Sequence, residues 1–171
     1  MAFGLSIKNL LMRIVDALLE EYGESHQNAI NKAFHWVCIP LIVFSLMGLL
    51  SSIPSGLISS WLPIEYQPYF NWATVLLLIT VIYYFRLSIP IALGMALFAF
   101  ACIVGNVWLS NAVPLPLWET SLIIFVAAWI GQFIGHKIEG KKPSFFKDVQ
   151  FLLVGPAWLL HFIYRKTGIK Y

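Results

Sequence analysis

The chain has little charge. Only 19 of its 171 residues are Asp, Glu, Lys or Arg, or 11%, against roughly 25% in ordinary soluble domains. The shortage is uneven. The 104 positions from 33 to 136 hold three charges, Glu65, Arg86 and Glu119, while seven lie before position 33 and nine after 136. With 60% hydrophobic residues and a mean hydropathy of +0.80, this excludes a water-soluble globular domain. A net charge of +3 is too small to point to nucleic acid, and the positive excess at the ends suits an anionic membrane surface. Cysteine is nearly absent. Cys38 and Cys102 lie in apolar runs without a partner at metal or disulfide spacing, so both read as buried and inert. There is no P-loop, dinucleotide fingerprint, zinc cysteine pair or nucleophile elbow. The N-terminus lacks a compact apolar core followed by small residues, so the first segments are expected to stay in the mature chain.

What is present is a single membrane domain over 1–171. It divides into a cytoplasmic amphipathic region (1–32), a four-span core (33–136) and a basic cytoplasmic C-terminal region (137–171). The predicted fold class is all-α, a polytopic membrane helix bundle. Residues 5–22 read as an amphipathic helix, with Ile7, Leu10, Leu11, Ile14, Leu18 and Tyr22 on one repeat. Such a helix lies on the bilayer surface or packs on the protein's own cytosolic face. The four spans are His35–Ser52, Tyr69–Phe85, Ser88–Ser110 and Leu117–His136, each near the ~20 residues that cross ~30 Å of hydrocarbon. Pro40 is tolerated near the start of the first. A fifth apolar run, Val149–Tyr164, contains Gly155-Pro156, which reads as a local break. It is expected to be a re-entrant or interfacial segment, with a fifth span as the alternative.

Positive charge gives these spans a sidedness. Lys8, Arg13 and Lys32 precede span one, Arg86 separates spans two and three, and Lys137, Lys141, Lys142 and Lys147 follow span four. All fall on one side, and the opposite loops contain no Lys or Arg. The positive-inside rule puts both termini in the cytoplasm. Trp61, Trp72, Trp108 and Trp118 form an aromatic belt at the other interface.

The same parity gathers histidines. His35 starts span one, His136 ends span four, His26 lies just outside span one, and His161 can join them at the cytoplasmic boundary. Imidazoles converging at one depth suggest a metal site for Fe, Zn, Cu or Ni; interfacial histidines without a ligand role are the bland alternative. Asn31 and His35 share a helix face, as do Gln132 and His136, and Glu139 is three residues past His136. Asn28, Asn31, Gln132 and Glu139 are thus placed to partner the imidazoles, and polar groups at membrane depth favour function. His26 and His35 are nine residues apart, half a turn out of phase and ~13 Å along a straight helix. The chain must therefore turn between them, with Ser25 as a candidate helix cap, or His26 must come from a loop after Gly23. Gly131 and Gly135 form a small-xxx-small pair that permits close helix packing.

Two stretches resemble a known family. His26, Asn31, His35 and Pro40 fit one signature; WIGQFIGHKIEGKKP (Trp129–Pro143), followed by Gly155-Pro156, fits another. The chain is similar to the small membrane-embedded 2-hydroxy fatty acid dioxygenases, whose fungal member acts in phytosphingosine breakdown. Its spacing from His136 to Glu139 is shorter than the family's usual one, and His161 matches no family motif residue. The resemblance implies Fe(II)-dependent α-oxidation, in which a 2-hydroxy fatty acid and O2 give the acid one carbon shorter. It implies His26, His35 and His136 as ligands, with Asn31, Gln132 and Glu139 as catalytic partners or substrate contacts. The membrane is expected to be a bacterial inner membrane or the endoplasmic reticulum. Competing readings are a two-metal desaturase or hydroxylase, bis-histidine haem between His35 and His136, and a non-enzymatic scaffold or transporter.

Overall fold

A computed structural model describes residues 13–140 and 145–171, with side chains in the last stretch described from 152 onward. The described residues are all-helical: α1 (Ile14–Glu24), α2 (Ala29–Ser51), α3 (Trp72–Leu87), α4 (Ile89–Ala112), α5 (Leu117–Glu139) and α6 (Phe145–Thr167). A short turn of helix, Gly56–Ser59, and a 3-10 turn, Gln67–Tyr69, lie between α2 and α3. Residues 5–12 of the expected amphipathic helix and the Lys141-Lys142-Pro143 run lie outside the described residues.

The helix ends follow from local chemistry. Asn28 caps α2 by accepting from the N–H groups of Ile30 (2.8 Å) and Asn31 (3.4 Å). Asn71 caps α3 through Ala73 at 2.9 Å. α5 stops at Gly140, whose φ of 74° is a left-handed conformation suited to glycine. α2, α4 and α5 are long and apolar enough to cross a membrane. α3 is apolar but has only 16 residues, about 24 Å at 1.5 Å per residue, so the second expected span is the short one. Outward-facing Leu78, Ile79, Leu93, Leu97, Phe100, Ile123 and Ile130 are exposed, as a lipid-facing surface requires.

α2 and α5 run antiparallel in the closest contact of the bundle. At one end Gly48 meets Ser121 and Asn106; at the other Gly135 meets Asn31. The small-residue pair permits this approach. A Cβ on Gly131 would lie 2.6 Å from Cys38 Sγ, and one on Gly135 would lie 2.5 Å from Asn31 Oδ1. Cys38 and Cys102 are buried free thiols.

α1 packs on the protein itself, not outward. Val15, Leu19 and Tyr22 are buried with Val154, Ala157, Trp158 and Leu159 of α6 and with Ile39, Tyr84 and Ile91. Each buried Val, Leu or Ile side chain here contributes ~1.5–3 kcal/mol relative to exposure to water. Arg13 donates to the main-chain oxygen of Tyr171 and pairs with Asp16 at 2.8 Å, so the two described ends of the chain meet.

The Gly155-Pro156 expectation needs correction, because α6 continues through both residues. Proline leaves the carbonyl of Leu152 without its helical partner. The Tyr84 hydroxyl donates to the adjacent Leu153 carbonyl at 2.5 Å, and Gly155 fits closely against Ile39 and the Tyr22 hydroxyl. Tertiary contacts hold the helix where its local sequence favours a break.

Candidate metal centre

α1 ends at Glu24 and α2 begins at Ala29, so four residues separate them. Ser25 N–H bonds back to Tyr22 O (3.3 Å) and His26 N–H to Gly23 O (3.0 Å). The chain therefore turns between His26 and His35, which removes the half-turn mismatch. The cap of the second helix is Asn28, not Ser25. His26 comes from this turn, His35 from the second turn of α2, and His136 from the last turn of α5.

Their three ligand atoms lie within 4.8 Å of one another, the one such cluster of His, Cys, Asp or Glu among the described residues. His26 and His35 are 2% and 1% exposed, and His136 is half-buried. Ring centroids are 4.2 Å apart for His26–His35, 4.9 Å for His35–His136 and 5.4 Å for His26–His136. A porphyrin between His35 and His136 would have to displace His26, so the bis-histidine haem reading has no room.

The hydrogen bonds define the donor set. His26 Nδ1 lies 2.5 Å from Tyr22 O, and His35 Nδ1 lies 2.9 Å from Asn31 O. A carbonyl only accepts, so each Nδ1 carries a proton, and a ring in its neutral form presents an Nε2 lone pair. These Nε2 atoms face each other at 2.9 Å. At that distance an imidazolium would donate to its neutral neighbour, whereas two neutral rings set their lone pairs against each other, an arrangement that a bound cation satisfies. Nitrogens bound at ~2.0–2.1 Å and a right angle to one ion are themselves about 2.9 Å apart. The donor set fits a metal ion, with Nδ1–H bonds of the kind that orient metal-bound imidazoles.

The sequence-predicted partners divide. Glu139 Oε1 accepts from the Gln27 N–H at 2.9 Å. Its Oε2 accepts from the Asn28 N–H at 2.9 Å and from Asn31 Nδ2 at 3.0 Å. Its carboxylate therefore ties the end of α5 to the start of α2, at the positive end of that helix's dipole. Asn31 is fully buried; its Oδ1 lies against Gly135 and has no hydrogen-bond partner among the described residues. Gln132 is buried one turn before His136. His161 is placed apart from the other three histidines. Its Nδ1 pairs with the Tyr171 hydroxyl, and its ring packs against Phe162 and Tyr171.

Two aromatic residues complete the wall. Tyr22 stacks on His26 at 4.1 Å and 11°, and Trp158 lies 5.4 Å from the same ring. The Tyr22–His26 spacing of four residues is the sequence signal for the first. Nothing local marks Trp158, which arrives from α6. A second polar layer, Asn106 and Ser121 beside Gly48, is buried toward the far end of the bundle. Asn106 Nδ2 donates to Phe44 O (3.0 Å) and Cys102 O (2.9 Å). The charge pattern alone does not reveal this layer.

No curated protein and no solved structure matches the chain. The family model described as 2-hydroxy-palmitic acid dioxygenase Mpo1-like matches residues 12–167, a range that contains every histidine of the cluster, Gly48, Gly131 and Gly135 of the α2–α5 contact, and Glu139. The chain belongs to this Mpo1-like family.

Proposed function

We propose that the chain is an Fe(II)-dependent dioxygenase that shortens a 2-hydroxy fatty acid by one carbon, with His26, His35 and His136 as its iron ligands. The observation that carries this reading is the convergence of three imidazoles within 4.8 Å, with the Nε2 atoms of His26 and His35 2.9 Å apart and each ring oriented by an Nδ1 bond to a carbonyl. The family's description as 2-hydroxy-palmitic acid dioxygenase-like supports a 2-hydroxy fatty acid as the substrate class. Three neutral imidazoles leave about three octahedral positions and the full ionic charge available, which suits an anionic headgroup with two adjacent oxygens.

When bound, ferrous iron would supply a Lewis-acid and redox centre where the hydroxy acid meets O2. The reaction balances as one hydroxy acid and one O2 giving the shortened acid, CO2 and water. The C1–C2 bond breaks, C2 is oxidised from carbinol to carboxyl, and O2 takes up the four electrons. The chain's own residues set the stage for this. The carbonyls of Tyr22 and Asn31 hold the imidazole tautomers, and Glu139 with Asn31 fixes the turn that carries His26. Tyr22 and Trp158 shield the buried rings from water, which strengthens electrostatic interaction with an anionic headgroup. Gln132, one turn from His136, is the remaining candidate for a substrate contact. Lys32, Arg86 and Lys137 share the end of the bundle that bears the histidines, so both termini are assigned to the cytoplasmic side.

The test is oxygen uptake by anaerobically purified, ferrous-loaded chain with 2-hydroxypalmitic acid, with product identified by mass spectrometry. The expected result is the acid one carbon shorter, with palmitic acid itself unreacted. Uptake without a shortened product, or none at all, would overturn the assignment.

A further inference from the structure

An apolar cavity of about 160 Å³ lies between α2, α4 and α6, with Trp36, Ile39, Pro40, Met95, Phe98 and Leu160 among its lining residues. Among the described residues no charged side chain lines it. Its depth is set by the helices. The α2 residues come one to five positions after His35, within about 8 Å along the axis. The α4 residues come five to nine positions after Ile89, at the start of a helix that follows Arg86. The cavity therefore lies just inside the apolar layer from the histidines.

Ile39 is one helical turn from His35 and packs with Tyr22 and Trp158, the two rings that lie against His26. One layer of side chains thus separates the cavity from the imidazoles. On its other side, Trp36 and Ile163 are 42% and 46% exposed and form a mouth toward the outer apolar surface. Apolar cavities stay dry and accept apolar guests. At ~30 Å³ for a group the size of a water molecule, this one holds roughly five such groups.

We propose that this cavity receives the first part of the acyl chain of a 2-hydroxy fatty acid whose carboxyl end sits at the three histidines. The remainder of the chain leaves past Trp36 and Ile163 into lipid. The headgroup placement rests on the dioxygenase reading; the cavity and its mouth do not. Ile39 is then the residue that the chain must pass, and Leu160 and Phe98 bound the space it fills.

The test uses the full chain in lipid nanodiscs and 2-hydroxypalmitic acid carrying a diazirine near the carboxyl end of its chain. After photolysis, adducts are mapped by mass spectrometry. Labelling is expected on Met95, Phe98 and Leu160, competed by unlabelled 2-hydroxypalmitic acid more strongly than by palmitic acid. Leu160→Trp, which fills the cavity, and Ile163→Trp, which blocks the mouth without repacking the interior, should each reduce competed labelling about tenfold. Ile79→Trp, on the outer face of α3, should leave it unchanged. Uncompeted labelling spread over Leu78, Ile79 and Ile82 would overturn the proposal, as would equal competition by palmitic acid, which marks a general lipid-tail site. Oxygen uptake by the same preparation separates the two readings. Turnover with labelling only on the outer faces sinks the cavity and spares the dioxygenase. Competed labelling in the cavity without turnover does the reverse.

Discussion

Asn31 Nδ2 donates to Glu139 Oε2 at 3.0 Å, joining the first turn of α2 to the last turn of α5 across 108 positions of sequence. The same carboxylate accepts the main-chain N–H groups of Gln27 and Asn28. The carboxylate itself stands outside the three-histidine cluster, yet it holds the turn that carries His26. Glu139→Gln keeps one accepting oxygen but turns an amide N–H₂ toward main-chain donors. The substitution is expected to leave a folded protein whose metal affinity falls ~10–100-fold, the usual effect of losing a group that orients ligands. Competition with a chelator of known affinity measures it; unchanged affinity would remove Glu139 from the site's architecture.

Gly135 tests the helix contact that brings Asn31 and His136 together. A Cβ there would lie 2.5 Å from Asn31 Oδ1 and 3.2 Å from Phe34 Cβ. Gly135→Ala should therefore destabilise by about 1–3 kcal/mol through overpacking and weaken metal binding in parallel. Thermal unfolding in detergent reads the first effect and metal titration the second. A wild-type midpoint would show that α2 and α5 do not approach so closely.

The Tyr84 hydroxyl supports α6 beside the site where proline removes one helical hydrogen bond, through its bond to Leu153 O. Tyr84→Phe removes only that oxygen and should cost about 1 kcal/mol, as a typical buried hydrogen bond does. Hydrogen exchange should show faster amide exchange around Val154 and Ala157 than in the parent. Exchange that is unaltered there would mean the helix needs no such support.

His161 provides a pH signature distinct from the metal centre. Burial, then the Arg165 charge, lowers its pKa below 6.5, with Asp16 acting weakly in the other direction; the Tyr171 hydroxyl is its direct partner. The unfolded chain binds the proton more readily than the folded one in this window, so stability falls as pH drops through the unfolded value near 6.5. Unfolding measured from pH 7.5 to 5 should show this loss, and His161→Gln should flatten the slope. An identical slope in the variant would assign it to another group.

Much of this architecture was legible because charge is so costly in lipid. The gap between Lys32 and Lys137 predicts the apolar helices, and their parity brings His35 and His136 to one end. Side-chain direction was not legible in the same way. His161 shares the expected end but faces Tyr171, since its depth is set by parity and its azimuth by the packing of α6 on α1. The turn between His26 and His35 was required by helix geometry, yet Ser25 and Asn28 are both good caps, and only the bonds to Ile30 and Asn31 select Asn28. Gly155-Pro156 reads locally as a break because its support, Tyr84, is about 70 residues away in sequence. Asn106 and Ser121 leave no mark on the charge pattern because neither carries a charge; only the approach of Gly48 reveals them.

If His26, His35 and His136 together hold one metal ion, the metal content of the chain must depend on all three. The full chain and its four single His→Ala variants would be titrated anaerobically with ferrous iron, desalted and measured for iron per chain. One iron is expected in the parent and in His161→Ala, and essentially none in His26→Ala, His35→Ala and His136→Ala, all with retained helical content. A parent chain that takes up no iron, or a His35→Ala variant that keeps its iron, would contradict a three-histidine metal site.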